Sequence, residues 1–149
     1  MHQNPELIEN SLGSLLGRSA KLMGGLLEEH FHQGGYEFSL VHWIIFIHLW
    51  RSDGSPQCEL AKECGQDKTA ITRAVDWLEK RNYVLRIPDQ QDRRHKLIYL
   101  TQKGKELPDI LIPYAQKTIE KATAGISEEE MTQCKNVLRK VFNNLKAYK

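Results

Sequence analysis

The chain has 149 residues, of which 40% are hydrophobic and 27% charged, and its formal net charge is +2. This length suits one domain with a core, this composition excludes a largely disordered chain, and the small net charge alone does not indicate nucleic-acid binding. Apolar runs stay shorter than the ~20 residues of a membrane helix and the polar N-terminus lacks a secretory pattern, so we expect a cytoplasmic protein without a membrane partner.

Two helices are predicted in the first third of the chain. Apolar residues recur every three or four positions between Pro5 and His32, which predicts one long amphipathic helix that ends at Gly34. Ser39 is a suitable N-cap for a second helix, which continues to about Trp50. Because this second helix is apolar on nearly every side, we expect it to lie in the core.

Two short helices follow, and their close spacing predicts a helix-turn-helix. Ser55 is expected to cap the third helix, with Pro56 in its first position and Gly65 at its end. Asp67 is expected to cap the fourth helix. This helix is expected to end at Asn82, a residue type that tolerates a left-handed backbone. The small core of this unit is expected to consist of apolar residues from both helices: Leu60, Ala61, Ile71, Val75 and Leu78.

A β-hairpin is predicted directly after the fourth helix. The segments "YVLRI" (residues 83–87) and "KLIYLT" (96–101) are rich in β-forming residues, and the polar "PDQQDRRH" joins them. A hairpin in this place makes the unit a winged helix-turn-helix. The fold class that the sequence predicts is therefore mostly α, with a small β-hairpin wing.

Two further helices are predicted, which brings the number of predicted helices to six. Thr101 is expected to cap the fifth helix, in which Pro108 and Pro113 should bend or break the rod. Ser127 and Glu130 predict a capping box for the sixth. That helix carries a narrow apolar seam, typical of a helix that packs on a partner helix: Met131, Cys134, Leu138, Val141 and Leu145.

Charge is distributed unevenly along the chain. Residues 67–105 contain ten Lys and Arg against five Asp and Glu, whereas the rest of the chain contains eleven against fourteen. A positive winged unit between acidic flanks is the asymmetry expected of a DNA-contacting module.

The segment from Leu60 to Leu107 resembles the winged helix of MarR-type transcriptional regulators. The specific match is a wing with an Asp, then Asp-Arg-Arg, then an apolar strand that closes in Leu-Thr-x-Lys-Gly. Its residues here are Asp89, Asp92, Arg93, Arg94, Leu100, Thr101, Lys103 and Gly104. The resemblance implies one MarR-like domain over 1–149, with a DNA-binding unit at 37–104 and a helical dimerisation region at 1–36 and 105–149. It also implies that the protein binds a pseudo-palindromic operator in double-stranded DNA as a homodimer. The implied function is that of a repressor and not of an enzyme.

The DNA-contacting residues are expected on the fourth helix and on the wing. Early residues of a recognition helix reach base edges, which selects Lys68, Thr69, Thr72 and Arg73. Arg94 is our candidate for insertion into the minor groove, with Asp92 as the carboxylate that orients it. Contacts to the phosphate backbone are expected from three further wing residues: Arg93, His95 and Lys96.

The resemblance further implies a small effector, which is apolar, aromatic or anionic and releases the DNA. Its crevice would be lined from the first, second and fifth helices by Met23, Leu26, Leu27, His30, Trp43, Phe46, Ile47, Leu111 and Tyr114. Apolar walls with a few polar groups suit such a ligand. The same residues also read as ordinary core residues, and both interpretations stay open.

Other functions have weaker support in the sequence. A winged-helix module that binds protein rather than DNA is one alternative, and a regulator that senses oxidants through Cys58 or Cys64 is another. The histidines form no pair one helical turn apart and no acidic cluster completes a site, so neither a metal nor a cofactor is expected. No GxSxG, HExxH or phosphate-binding glycine loop indicates an enzyme.

Overall fold

The structure is a computed structural model that describes residues 5–148. This part of the chain is mainly helical and contains one small antiparallel sheet. In chain order its elements are α1 (Pro5–Glu9), α2 (Leu12–Gln33), α3 (Leu40–Arg51), β1 (Ser55–Pro56), α4 (Gln57–Glu63), α5 (Lys68–Lys80), β2 (Val84–Pro88), β3 (Lys96–Leu100), α6 (Gln102–Ala122) and α7 (Glu128–Lys146). The predicted fold class is confirmed.

The predicted first helix is wrong in one respect, because it is two helices. The backbone of Ser11 is extended (φ −66°, ψ 150°), and its hydroxyl accepts a hydrogen bond from the backbone N–H of Ser14 at 3.3 Å. α1 therefore ends before Ser11 and α2 begins after it, which gives seven helices in the described chain instead of six. The apolar periodicity continues across the break, so it did not reveal the cap.

Ser55 does not cap the third helix as predicted. It lies in β1 opposite Ile98 of β3, and its hydroxyl donates to the backbone oxygen of Ser52 at 2.6 Å. The N-cap of α4 is Pro56, one residue later than expected. The hairpin thereby becomes a three-stranded sheet in the order β1-β3-β2, with β2 at an edge.

Most of the predicted caps are confirmed. Asp67 accepts from Ala70 N at 2.8 Å and Thr101 accepts from Gly104 N at 3.0 Å, while Ser39 and Ser127 each close a capping box. Asn82 has the expected left-handed backbone, with φ 61°. These side chains bind the free N–H groups of the first helical turn, which is why a local sequence signal located them.

α6 is one continuous helix, although Pro108 and Pro113 were expected to bend or break it. Its buried face, which includes Leu107, Pro108 and Leu111, packs along α2. This tertiary packing offsets the backbone hydrogen bonds that the two prolines remove.

The core lies within the winged unit and continues between α2 and α6. The five residues predicted as the core of the helix-turn-helix are all buried, and Ile45, Phe46 and Leu49 place α3 at the centre as expected. Phe31 on α2 and Leu111 on α6 join the same cluster. Among residues 5–148 we find no helical stretch with the length and hydropathy of a membrane span.

The terminal helices are packed differently from the rest. No residue of α1 or of α7 is buried. In the predicted seam of α7, Leu138 is half-buried, whereas Leu145 is 64% exposed. Nearby Phe142 is also 64% exposed, so the apolar face of α7 is largely uncovered in the single chain.

Candidate nucleic-acid interface

α5 presents a polar face to solvent above an apolar face that anchors it. Its residues Ile71, Ala74, Val75 and Leu78 are buried. The four predicted contact residues on this helix are exposed, in agreement with their expected orientation: Lys68, Thr69, Thr72 and Arg73. The spacing of three and four between the buried positions produces this division of the helix into two faces.

The starts of α4 and α5 and the tip of the wing line one cleft of about 270 Å³. Its lining residues are Gln57, Cys58, Lys68, Ile71, Thr72, Arg94, His95 and Lys96. The structure thus brings together five of the predicted DNA-contacting residues from two segments of the chain. Thr69, Arg73 and Arg93 are exposed but do not line this cleft.

The wing tip holds Arg94 in a bidentate ion pair with Asp92. Arg94 Nε lies 3.0 Å from Asp92 Oδ1, and its Nη2 lies 2.9 Å from Oδ2. The backbone N–H of Arg94 also donates to Asp92 Oδ1 at 3.1 Å. These hydrogen bonds, first from the guanidinium and then from the backbone, lower the pKa of Asp92, while the same ion pair raises the pKa of Arg94. The Arg94 side chain remains 89% exposed, so the pair orients the guanidinium without burying it.

Arg86 forms a second polar network, which the sequence did not reveal. It projects from β2 and contacts Asp76 at 2.6 Å and Glu79 at 2.5 Å, both on α5. Its Nε donates to Gln57 on α4 at 3.1 Å. One guanidinium therefore connects the wing to both helices of the helix-turn-helix. The available signal was two acids three residues apart on one face of a helix that precedes a strand with an arginine.

Four of the nine residues predicted to line an effector crevice lie in the core. Leu27, His30, Phe46 and Leu111 are buried. The remaining members are half-buried or, for Met23, 37% exposed: Met23, Leu26, Trp43, Ile47 and Tyr114. The ring of Phe31 fills the space between two of them, since its centroid lies 5.4 Å from that of Trp43 and 6.2 Å from that of Tyr114.

His30 is the polar group of this region. Thr118 Oγ1 donates to the backbone oxygen of Tyr114, so it accepts from Nδ1 of His30, which lies 2.7 Å away. In the neutral ring the other nitrogen, Nε2, is then an acceptor. This atom is buried and has no hydrogen-bond partner within the described residues.

The cysteines do not form a recognisable redox pair. Burial, followed by the nearby charge of Glu63, raises the pKa of the Cys64 thiol, which disfavours its reactive thiolate. Cys58 and Cys134 are exposed, the former in the cleft. Within residues 5–148 no group of three or more His, Cys, Asp and Glu side chains is arranged to hold a metal ion.

Comparison with known proteins finds similarity to one family. Residues 38–96 match the model of the MarR family. A MarR transcriptional regulator from Methanosarcina mazei Go1 superposes with a TM-score of 0.84 at 23% identity, over 93% of this chain and 98% of that one. A MarR-family regulator from Rhodococcus sp. RHA1 gives a TM-score of 0.78 at 25% identity, over 89% and 95%.

A third similar structure concerns a regulator with a known ligand. Bordetella bronchiseptica BpsR, whose DNA binding is regulated by 6-hydroxynicotinic acid, gives a TM-score of 0.77 at 19% identity, over 87% of this chain and 97% of that one. At this identity the likeness concerns the fold.

Proposed function

We propose that the chain is a transcriptional regulator of the MarR family, whose model matches residues 38–96, and that it is a repressor that binds a pseudo-palindromic operator as a homodimer. Regulators of this family are non-enzymatic DNA-binding proteins, and the chain is accordingly a transcriptional regulator rather than an enzyme. The operator, the dimer and the sign of regulation are the parts that we propose.

The observation that carries the proposal is the basic cleft between α5 and the wing. Lys68 on α5 and Arg94, His95 and Lys96 on the wing line it together. If α5 enters the major groove, the wing lies over the adjacent backbone and its tip reaches the minor groove. Positive side chains on both elements complement the negative potential of the duplex at both places.

Each predicted residue has a role in this arrangement. Arg73 is suited to a bidentate contact with guanine, and Lys68 and Thr69 to bases or phosphates at the start of the helix. Arg94 is the minor-groove probe, and Asp92 orients it by the bidentate ion pair. Arg93, His95 and Lys96 are assigned to phosphates, and Thr72 to a base edge.

The homodimer is supported by the uncovered apolar surface of α2 and α7. Leu22 on α2 is 73% exposed, and Phe142 and Leu145 on α7 are 64% exposed each. Large apolar side chains left exposed in this way favour an interface. We assign dimerisation to residues 1–36 and 105–149, and DNA binding to residues 37–104.

An effector is the final part of the proposal. A small aromatic or anionic molecule would bind between the dimerisation helices and the winged unit and weaken DNA binding, as 6-hydroxynicotinic acid regulates the DNA binding of BpsR. The unpaired Nε2 of His30 supplies a buried acceptor for a hydroxyl or ring N–H of such a ligand.

The test is fluorescence anisotropy with the full chain and the duplex upstream of its own gene, at two salt concentrations. We expect a saturable complex whose affinity falls steeply with salt, because phosphate contacts release counterions. A shuffled duplex of the same composition is the control for specificity. A folded dimer that shows no binding at low salt would contradict the proposal and favour a module that binds protein.

A further inference from the structure

Thr72, in the DNA-facing cleft, is held by a chain of hydrogen bonds that begins at Arg86. Arg86 Nε donates to Gln57 at 3.1 Å, and Gln57 Nε2 lies 3.1 Å from Thr72 Oγ1. We propose that Arg86 and Gln57 are positioning residues that fix the Thr72 hydroxyl, so that Thr72 presents its methyl group to a thymine. This inference rests on the proposed function, since it concerns how α5 reads DNA.

The direction of each hydrogen bond in this series follows from the chemistry of Arg86. A guanidinium only donates, so the Gln57 atom that faces Arg86 is the amide oxygen. The amide nitrogen of Gln57 is then the atom that faces Thr72, and it only donates. Thr72 Oγ1 must therefore accept, and its own proton goes to the backbone oxygen of Lys68 at 2.8 Å.

The consequence is that Thr72 cannot donate a hydrogen bond to DNA. Its proton is committed to Lys68 and one lone pair is committed to Gln57. What it retains for a base edge is chiefly its methyl group. Thymine is the base that displays a methyl group in the major groove, so an apolar contact there is the readout that suits Thr72.

The hydrogen bonds from Arg86 through Gln57 to Thr72 form without DNA, because protein carboxylates hold Arg86. Asp76 and Glu79 contact its two terminal nitrogens, and only 18% of the Arg86 side chain is exposed. The wing strand therefore sets the amide of Gln57, and Gln57 stabilises, together with the bond to Lys68, one of the two rotamers that threonine adopts in a helix. Valine needs no such help, since it has one strongly preferred rotamer in a helix.

This difference between threonine and valine provides the experiment. Binding sites are selected from a randomised duplex pool by the full-length wild type, Gln57→Met, Thr72→Val and the double variant. We expect Gln57→Met to weaken the preference for thymine at one position per half-site by about twofold to tenfold, the range of one net hydrogen bond. Thr72→Val should keep the preference, and adding Gln57→Met to it should change nothing further.

Two more variants make the outcome decisive. Thr72→Ser keeps both hydrogen bonds but lacks the methyl group, and it should lose the thymine preference even if Gln57→Met folds poorly. Gln102→Met is the matched control, because Gln102 is exposed and its amide contacts Glu106 on its own helix, outside the cleft. It should select the wild-type sequence.

The results that overturn the inference differ from those that overturn DNA binding itself. If the wild type enriches a sequence and Gln57→Met enriches it with the same base frequencies, the positioning role is wrong while the proposed function stands. Retention of the thymine preference by Thr72→Ser has the same meaning. A wild type that enriches no sequence overturns both.

Discussion

The winged unit and the terminal helices are both rich in apolar residues, yet the single chain buries only those of the former. In the winged unit Leu60, Ile71 and Ile98 are at most 1% exposed. On α7, Val137 is 54% exposed and Phe142 64%. The winged unit thus has a complete core within one chain, whereas the apolar faces of α1 and α7 stay largely uncovered in the described chain.

This difference indicates which part of the function each region serves. A region with a closed core holds its surface side chains in fixed positions, as the Arg86 network does at the cleft between α5 and the wing. A region with an open apolar face gains its stability from a second surface. The predictions below test this division, from the largest expected effect to the smallest.

Phe142→Asp should have the largest effect, because it places a charge in the middle of the open face of α7. We expect the dimer to dissociate and the affinity for operator DNA to fall by about 30-fold or more, the effect of losing an interface hot spot. Sedimentation velocity and anisotropy measure the two effects. Asn144→Asp adds the same charge on another side of α7 and should leave both unchanged. A Phe142→Asp variant that remains dimeric would place the interface elsewhere.

Gly104→Ala tests the joint between the winged unit and α6. A Cβ atom at this position would collide with the backbone oxygen of Tyr83 and approach Leu100 Cδ2 to 3.3 Å. We expect the free energy of unfolding in urea to fall by about 1–3 kcal/mol, the usual effect of overpacking.

The control for this variant is Gly25→Ala, in the middle of α2. An added Cβ meets no atom within 4 Å at Gly25. Because alanine favours a helix over glycine, we expect this change to raise the free energy of unfolding by about 0.5–1 kcal/mol. Equal free energies for the two variants would show that the joint at Gly104 is looser than the structure indicates.

Arg94→Ala should weaken DNA binding and leave folding intact. The side chain is 89% exposed, so its loss leaves no cavity. We expect the affinity for operator DNA to fall by about tenfold or more, corresponding to ~1.4 kcal/mol. Anisotropy measures the affinity and circular dichroism the fold. Arg18→Ala removes the same charge from α2 and serves as the control; an unchanged affinity and salt dependence for Arg94→Ala would remove the wing from the interface.

His42 should make the stability of the winged unit depend on pH. Its ring stacks on Trp77 with centroids 4.1 Å apart, and its Nδ1 accepts from the backbone N–H of Ser39 at 3.1 Å. Burial, and then the charge of Arg81, lower the pKa of His42 to about 4 from 6.5, while Glu28 opposes the shift. The unfolded chain therefore binds this proton first as the pH falls.

The stabilisation from neutral His42 is thus present above pH 6.5 and lost progressively down to pH 4. We expect a loss of about 1 kcal/mol, reduced from the full value of the shift because the ring is partly exposed. His42→Gln keeps a side chain suited to the capping box but does not titrate, and urea unfolding at several pH values should show a shallower decline. His32→Gln, on an exposed residue of α2, should behave as the wild type.

Local signals in the sequence predicted much of the helical structure and the exposed face of α5. The caps at Ser39, Asp67, Thr101 and Ser127 act within four residues of themselves, and the left-handed Asn82 ends a helix by its own backbone preference. The exposed start of α5 follows from the spacing of its buried residues in the same way. Such features depend only on residues that are close together in the sequence, so the sequence alone predicts them.

Packing between residues that are distant in the sequence decided the features that the sequence left open or predicted wrongly. The pairing of Ser55 with Ile98, the packing of α6 on α2, and the hydrogen bonds from Arg86 through Gln57 to Thr72 all join residues far apart in the sequence. A side chain shows its own chemistry but not its partner, because the partner is chosen by the way the elements pack. The sequence by itself therefore determined where most of the helices begin and which residues of α5 are exposed, whereas the tertiary structure determined how those residues are held.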